Sequence, residues 1–354
     1  MKRPIHVAIL GASGYGAAEL LRLCTQHPAV EVVALTSASH VGQPLHRVHP
    51  HLRSFFDLRL AEAVDVQRLA DAEYAVVFSA LPHGPSATAI DLVLSECERN
   101  GLGDRIRVID LSGDFRLADI ESHRQHYPDS PELPQRRRAF VYGLPELFRE
   151  SLRAAHLVAN PGCLAAASIL AAAPLVLGGF SGALAIDAKT GSSGSGRRVQ
   201  EATHHPTRHA NFRAYKPLAH RHEPEILQAL GDPRGERINT SFIAQSMDTT
   251  RGIFVTVHLT LPEPADTASI HGRYANFYAE SPFVRIVETS PELQDVIGSN
   301  FCDIAVACRE RQVIAMAAID NLVKGMAGTA IQNMNLMCGL NETTGLWTPS
   351  LRPV

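Results

Sequence analysis

The chain has 354 residues, 45 % of them hydrophobic and 19 % charged, with 33 Lys plus Arg against 36 Asp plus Glu and a formal net charge of −3. At about 150 residues per domain this length suggests two globular domains with their own cores, and the composition excludes general disorder. The balanced charge provides no basic excess for a nucleic-acid or anionic-membrane partner.

Lys2 and Arg3 precede an apolar run, Val7–Leu10, that stops at Gly11 and is too short for a secretory leader. Ile5–Leu10 reads as a buried strand, Ala17–Thr25 as a helix and Val30–Thr36 as a second strand. Tyr74–Leu81, Ile106–Leu111 and His156–Ala159 read as further strands, with a helix over Ser86–Arg99. Such alternation builds a parallel α/β sheet whose ligands lie at the carboxyl edge of the strands. The run Gln135–Arg138 reads as a solvated loop. After about Asn160 the style changes. The helix Cys163–Leu177, Ala-rich and too short to span a bilayer, precedes the strand Ala183–Lys189. Strands follow at Ser241–Ala244, Gly252–Leu261, Phe283–Val287, Ile304–Ala307 and Val313–Ile319. That pattern predicts an α+β domain with a mixed or antiparallel sheet. Ala327–Met337 closes the chain as a helix spaced to pack on something large.

Gly11-Ala-Ser-Gly14-Tyr-Gly16-Ala17 sits between strand and helix, where glycines admit a pyrophosphate to the helix amino end. The second strand ends Thr36-Ser37-Ala-Ser39-His40, without the acid that grips the ribose of NAD, so a 2′-phosphate and NADPH fit better. The six cysteines form no CxxC pair, which predicts free thiols in a reducing cytoplasm. One of them, Cys163, opens a helix after the turn Asn160-Pro-Gly162, where the helix dipole favours a thiolate. His220-Arg-His222-Glu-Pro-Glu225 supplies a base, with Glu225 able to orient one imidazole. Together with His204, His205 and His209 the same histidines are open to a metal-site reading. Gly191–Gly196 followed by Arg197 suits a carboxylate or phosphate.

Motifs in order along the whole chain make it resemble the N-acetyl-γ-glutamyl-phosphate reductase family. They include GASGYGAAELL from Gly11, ALPHG at Ala80–Gly84, DLSGDFRL at Asp110–Leu117 and NPGC at Asn160–Cys163. TGSSGSGR at Thr190–Arg197, AHRHEPEI at Ala219–Ile226, RGIF at Arg251–Phe254 and DNLVKGMAG at Asp320–Gly328 continue the series. The resemblance implies a Rossmann NADP-binding domain over residues 1–160, completed by the closing segment 321–354. Residues 161–320 would form a catalytic and oligomerisation domain like that of the glyceraldehyde-3-phosphate and aspartate-semialdehyde dehydrogenases. It further implies Cys163 as nucleophile and a histidine of the HRH motif, His222 ahead of His220, as acid/base. Arg116, Ser193, Gly194 and Arg197 would hold the substrate's anionic groups. Gly11, Ser13, Gly14, Tyr15 and Gly16 would hold the NADP(H) pyrophosphate, with Ser37, Ser39, Leu81, Pro82 and Asn321 around the rest of the cofactor.

The resemblance makes the substrates a small acyl phosphate and inorganic phosphate and the assembly a homodimer or homotetramer, without nucleic acid or membrane. Two departures stand out: GYGA replaces the usual GYTG or GYAG, and Ser39-His40 stands where an arginine often follows the second strand. His204–Arg208, Arg213 and Tyr215–Pro217 resemble the sister branch whose substrate rides on an acidic amino-group carrier protein. Aspartate-semialdehyde dehydrogenase, an NADP-sensing regulator and a His-metal hydrolase are the rival readings.

Overall fold

A computed structural model describes residues 4–353, so Lys2 and Arg3 lie outside the described residues. The chain divides into two compact units. The first comprises residues up to Pro161 together with Met326–Trp347, and the second Gly162–Gly325 with the last residues from Thr348.

In the first unit, six parallel strands form one sheet in the order β2-β1-β3-β4-β6-β5. They are β1 (Ile5–Leu10), β2 (Val30–Leu35), β3 (Ala75–Ser79), β4 (Ile106–Asp110), β5 (Phe140–Tyr142) and β6 (Leu157–Ala159). β3 is buried at every position, as expected of a strand covered by helices on both faces. The strand order reverses at β1 and β3, which places the Gly11 turn beside the segment starting at Ala80. The helix Gly328–Met337 is buried on all sides, and its amides find partners: Asn333 Nδ2 donates to Gly143 O at 2.8 Å and Asn335 Nδ2 to Thr344 O at 2.9 Å.

The second unit carries a mixed sheet in the order β11-β12-β10-β7-β9-β8. Its strands are β7 (Gly182–Thr190), β8 (Arg213–Tyr215), β9 (Ile238–Ser246), β10 (Ile253–Asp266), β11 (Val284–Ile286) and β12 (Cys302–Ile319). β7 with β9 and β11 with β12 run parallel, and the other pairs antiparallel. Alternate residues of β10, Ile253, Val255, Val257 and Leu259, are buried, and the Ala-rich helix Cys163–Val176 packs on β10 and β12.

Several expectations need correction. Ile304–Ala307 and Val313–Ile319 are parts of one strand, because Arg309 and Glu310 continue the ladder by pairing with Asp266 and Ala265. Gln135–Arg138 is not a solvated loop: it belongs to the short helix Pro134–Ala139, and Arg137 is buried with its guanidinium over Phe115. β5, β8 and the helix Thr267–Phe277 had no periodic signal. That last helix starts where the Asp266 side chain accepts the Ser269 N–H at 2.7 Å.

Candidate active site

Cys163 is the first residue of a helix whose every later residue, Leu164–Val176, is buried, yet it is itself only partly covered. Its neighbour Gly162 takes an extended conformation, and the Gly162 N–H donates to Glu225 Oε1 at 2.7 Å. Glu225 is fully buried. The Glu225 carboxylate thus grips the turn that opens the Cys163 helix.

His220 and His222 lie almost buried in the loop before the helix Glu223–Ala229, their rings edge to face at 4.7 Å. The His222 main-chain N–H donates to His220 Nδ1 at 3.2 Å. Burial, and then the charges of Arg221 and Lys216, push the His220 pKa down to about 4. His220 is thus neutral near pH 7, with its proton on Nε2 because Nδ1 accepts. Tyr215, on the edge strand β8, stands 5.7 Å from the His220 ring, and its phenol is pushed up to about 12 by burial and by the neighbouring Cys163. The sequence singles out Tyr215 only within the segment that resembles the carrier-linked branch.

The loop after β7 is held from within. Ser193 Oγ donates to Thr250 O at 2.7 Å and accepts from Asn321 Nδ2 at 2.9 Å, while Asn321 Oδ1 accepts the Gly252 N–H at 2.8 Å. Ser193 and Asn321 are buried, so these side chains shape the loop. Gly194 and Arg197 are exposed on it. Asp320, fully buried, pairs with Arg251 at 2.8 Å. In the longer excursion, Arg208 turns inward to Ser246 and the carbonyls of Met247 and Thr249, while Arg197, Arg198, His204, His205, Arg213 and Lys216 stay exposed.

In the first unit the predicted nucleotide turn has the required shape. Gly11 has φ +75°, and a Cβ there would meet Leu81 Cδ2 at 2.9 Å, so Leu81 closes directly over the turn. Gly14 begins the helix Tyr15–Cys24 with no side chain capping it, and a Cβ on Gly14 would meet nothing within 4 Å. That open cradle of helix amino-end N–H groups fits a pyrophosphate. Ser13 is partly buried at the turn and Tyr15 exposed beside it; Pro82 O accepts the Ser86 N–H at 3.1 Å as the next helix begins. Ser37 and Ser39 bring their hydroxyls within 3.4 Å of one another, and His40 Nδ1 lies 2.9 Å from Ser39 Oγ. Buried His49 supports the turn through its Nε2, 2.8 Å from Ala12 O, a residue without any motif to announce it. Arg116 is buried, donating from Nε to Asn160 O at 2.7 Å and from an Nη to Leu111 O at 2.9 Å, so it braces the ends of β4 and β6. Among the described residues, no group of three or more His, Cys, Asp or Glu side chains is placed to hold a metal ion.

Two family descriptions match this chain: "Semialdehyde dehydrogenase, NAD binding domain" over residues 6–155 and "Semialdehyde dehydrogenase, dimerisation domain" over residues 163–321. A protein from Desulforudis audaxviator named N-acetyl-gamma-glutamyl-phosphate reductase is 43 % identical, with 99 % of this chain and 100 % of the relative aligned. The chain belongs to the N-acetyl-γ-glutamyl-phosphate reductase family. That family includes the carrier-linked branch: a Cenarchaeum symbiosum protein described as a LysW-L-2-aminoadipate/LysW-L-glutamate phosphate reductase is 42 % identical, over 99 % of this chain and 100 % of the relative. In fold, the chain is similar to aspartate semialdehyde dehydrogenase from Candida albicans crystallised with NADP, with TM-score 0.70, 14 % identity, and coverage of 95 % of this chain and 98 % of that one. Among the described residues no helix is long and apolar enough to cross a membrane.

Proposed function

We propose that this member of the reductase family converts N-acetyl-γ-glutamyl phosphate to N-acetylglutamate 5-semialdehyde with release of inorganic phosphate, using NADPH. The observation that carries the reading is Cys163, only partly covered at the amino end of an otherwise buried helix whose opening turn is held by the buried Glu225. A thiol so placed is favoured as the thiolate. It attacks the acyl carbonyl, the C–O bond to phosphate breaks, and a Cys163 thioester forms. Splitting the reduction in this way replaces one difficult step by two easier ones.

When bound at the Gly11–Gly16 turn, the nicotinamide nucleotide supplies the hydride. Ser13, Gly14, Tyr15 and Gly16 would hold its pyrophosphate. Leu81 and Pro82 would line the approach, and the Ser37 and Ser39 hydroxyls would face the ribose phosphate. His222 is assigned the proton at the developing alkoxide oxygen, with His220 fixing the loop through its Nδ1. Hydride addition to the thioester carbonyl carbon gives a thiohemiacetal; as its hydroxyl proton passes back to His222, the C–S bond breaks, returning the thiolate and freeing the aldehyde. Exposed Arg197 would receive the substrate's anionic groups, the exposed Gly194 leaving room beside it, and Ser193 and Asn321 would hold that loop in shape. Arg116, its guanidinium bonded to main-chain carbonyls, would act on the same groups by bracing the segment before Cys163.

Cys163→Ser, with folding intact by circular dichroism, is expected to abolish phosphate-dependent oxidation of N-acetylglutamate semialdehyde by NADP. Near-wild-type activity in that variant overturns the assignment. The exposed cations Arg197, Arg198, Arg213 and Lys216 favour a second reading, in which the glutamyl or aminoadipyl phosphate is presented by an acidic carrier protein. Steady-state rates with the acetylated and the carrier-linked substrates, measured side by side, separate the two. A homodimer or homotetramer in the cytoplasm is the assembly proposed, supported by the match to a dimerisation domain.

A further inference from the structure

Gly325 lies against Cys163 so closely that no side chain fits at position 325. A Cβ there would stand 2.7 Å from Cys163 Cβ and 3.3 Å from both Cys163 Cα and Asp320 O. Non-bonded carbons normally keep about 3.5–4.0 Å. None of the crowded atoms is the movable end of a long side chain. On one side is the first residue of a buried helix, and on the other the Asp320 carbonyl oxygen, just before the π-turn Val323–Ala327 to which Gly325 belongs. Single π-turns concentrate at functional sites.

The turn cannot easily give way, because Asp320 holds it at several points. The Gly325 N–H donates to Asp320 O at 2.8 Å. The fully buried Asp320 carboxylate accepts the N–H groups of Leu322 at 2.7 Å and Val323 at 3.1 Å on Oδ1. On Oδ2 it accepts the Gly298 N–H at 2.7 Å and Arg251 at 2.8 Å. An added methyl group at 325 must therefore be accommodated largely by displacing Cys163.

We propose that Gly325 is a positioning residue for Cys163, and that Asp320 is the anchor that makes its π-turn rigid enough to set the placement of the sulfur. The proposal rests on the reading of Cys163 as nucleophile. A misplacement of about 1 Å at a reacting centre costs on the order of 100-fold in rate. Folded Gly325→Ala is therefore expected to lose about 100-fold in kcat while KM for the acyl substrate stays within roughly threefold. Alkylation of Cys163 by iodoacetamide at pH 7, followed on its own peptide by mass spectrometry, should slow by about tenfold, with the pH midpoint of alkylation raised by about one unit. Asp320→Asn keeps the size of the anchor but puts an amide donor against main-chain N–H groups, and should move kcat and the alkylation midpoint the same way. It serves as the test if Gly325→Ala does not fold. A loss of thermal stability alone, with kcat and the Cys163 alkylation profile as in wild type in the folded variants, overturns the positioning role. Retained activity in Cys163→Ser would instead overturn the thioester reading, leaving the two failures distinct.

Discussion

Glu225 Oε1 accepts the Gly162 main-chain N–H at 2.7 Å, so a buried carboxylate 63 positions further along the chain fixes the residue before Cys163. Two segments with no periodic relation meet there, and the contact joins the HRHEPE and NPGC motifs into one device.

Removing that acceptor leaves a buried N–H without its charged partner, which costs about 1–3 kcal/mol. Glu225→Ala is accordingly expected to lose about 2–3 kcal/mol in urea unfolding and at least about tenfold in kcat. Glu225→Gln, which keeps an acceptor oxygen, should lose less than half as much stability. Equal unfolding midpoints for wild type and the alanine variant would sink this account of Glu225.

Position 16 is crowded by a neighbouring side chain. A Cβ on Gly16 would stand 2.6 Å from Met326 Sδ, so the methionine occupies the space a residue-16 side chain needs. Gly16→Ala should cost about 1–2 kcal/mol, the usual range for mild overpacking. In a double-mutant cycle with Met326→Ala most of that cost should vanish, a coupling of about 1 kcal/mol. Additive effects of the two substitutions would contradict the contact.

Acid should destabilise the protein through two buried histidines. The pKa of His220 is pushed down to about 4 by burial, Arg221 and Lys216. That of His123 goes to about 4 through burial and Arg137, against the opposing charges of Asp114 and Glu132. Both histidines have folded values below the ordinary 6.5, so the unfolded chain binds more protons between about pH 6.5 and 4. The stabilisation is present above pH 6.5 and is lost as pH falls through that window, at up to ~1.4 kcal/mol per pH unit for each histidine. Unfolding free energies measured from pH 7 to 4.5 should show this slope, and His123→Phe should reduce it by about one proton. An unchanged slope in that variant would remove His123 from the explanation.

Local pattern in the sequence determined a great deal about this protein. β1 spans the predicted Ile5–Leu10, the glycine turn follows it, and Cys163 opens its helix, because apolar runs, turn glycines and helix starts act over a few neighbouring residues. The family motifs, spread along the chain, carried the chemistry. What only the tertiary structure decided are contacts between distant segments: Glu225 on Gly162, Asn321 on Ser193, Gly325 on Cys163 and Met326 on Gly16. Asn321 uses its amide on Ser193 and Gly252, and Arg137, expected in water, is buried over Phe115. Such outcomes escape a reading of pattern because burial and hydrogen-bond pairing are set by which surfaces meet after the chain closes, and residue spacing does not encode that meeting.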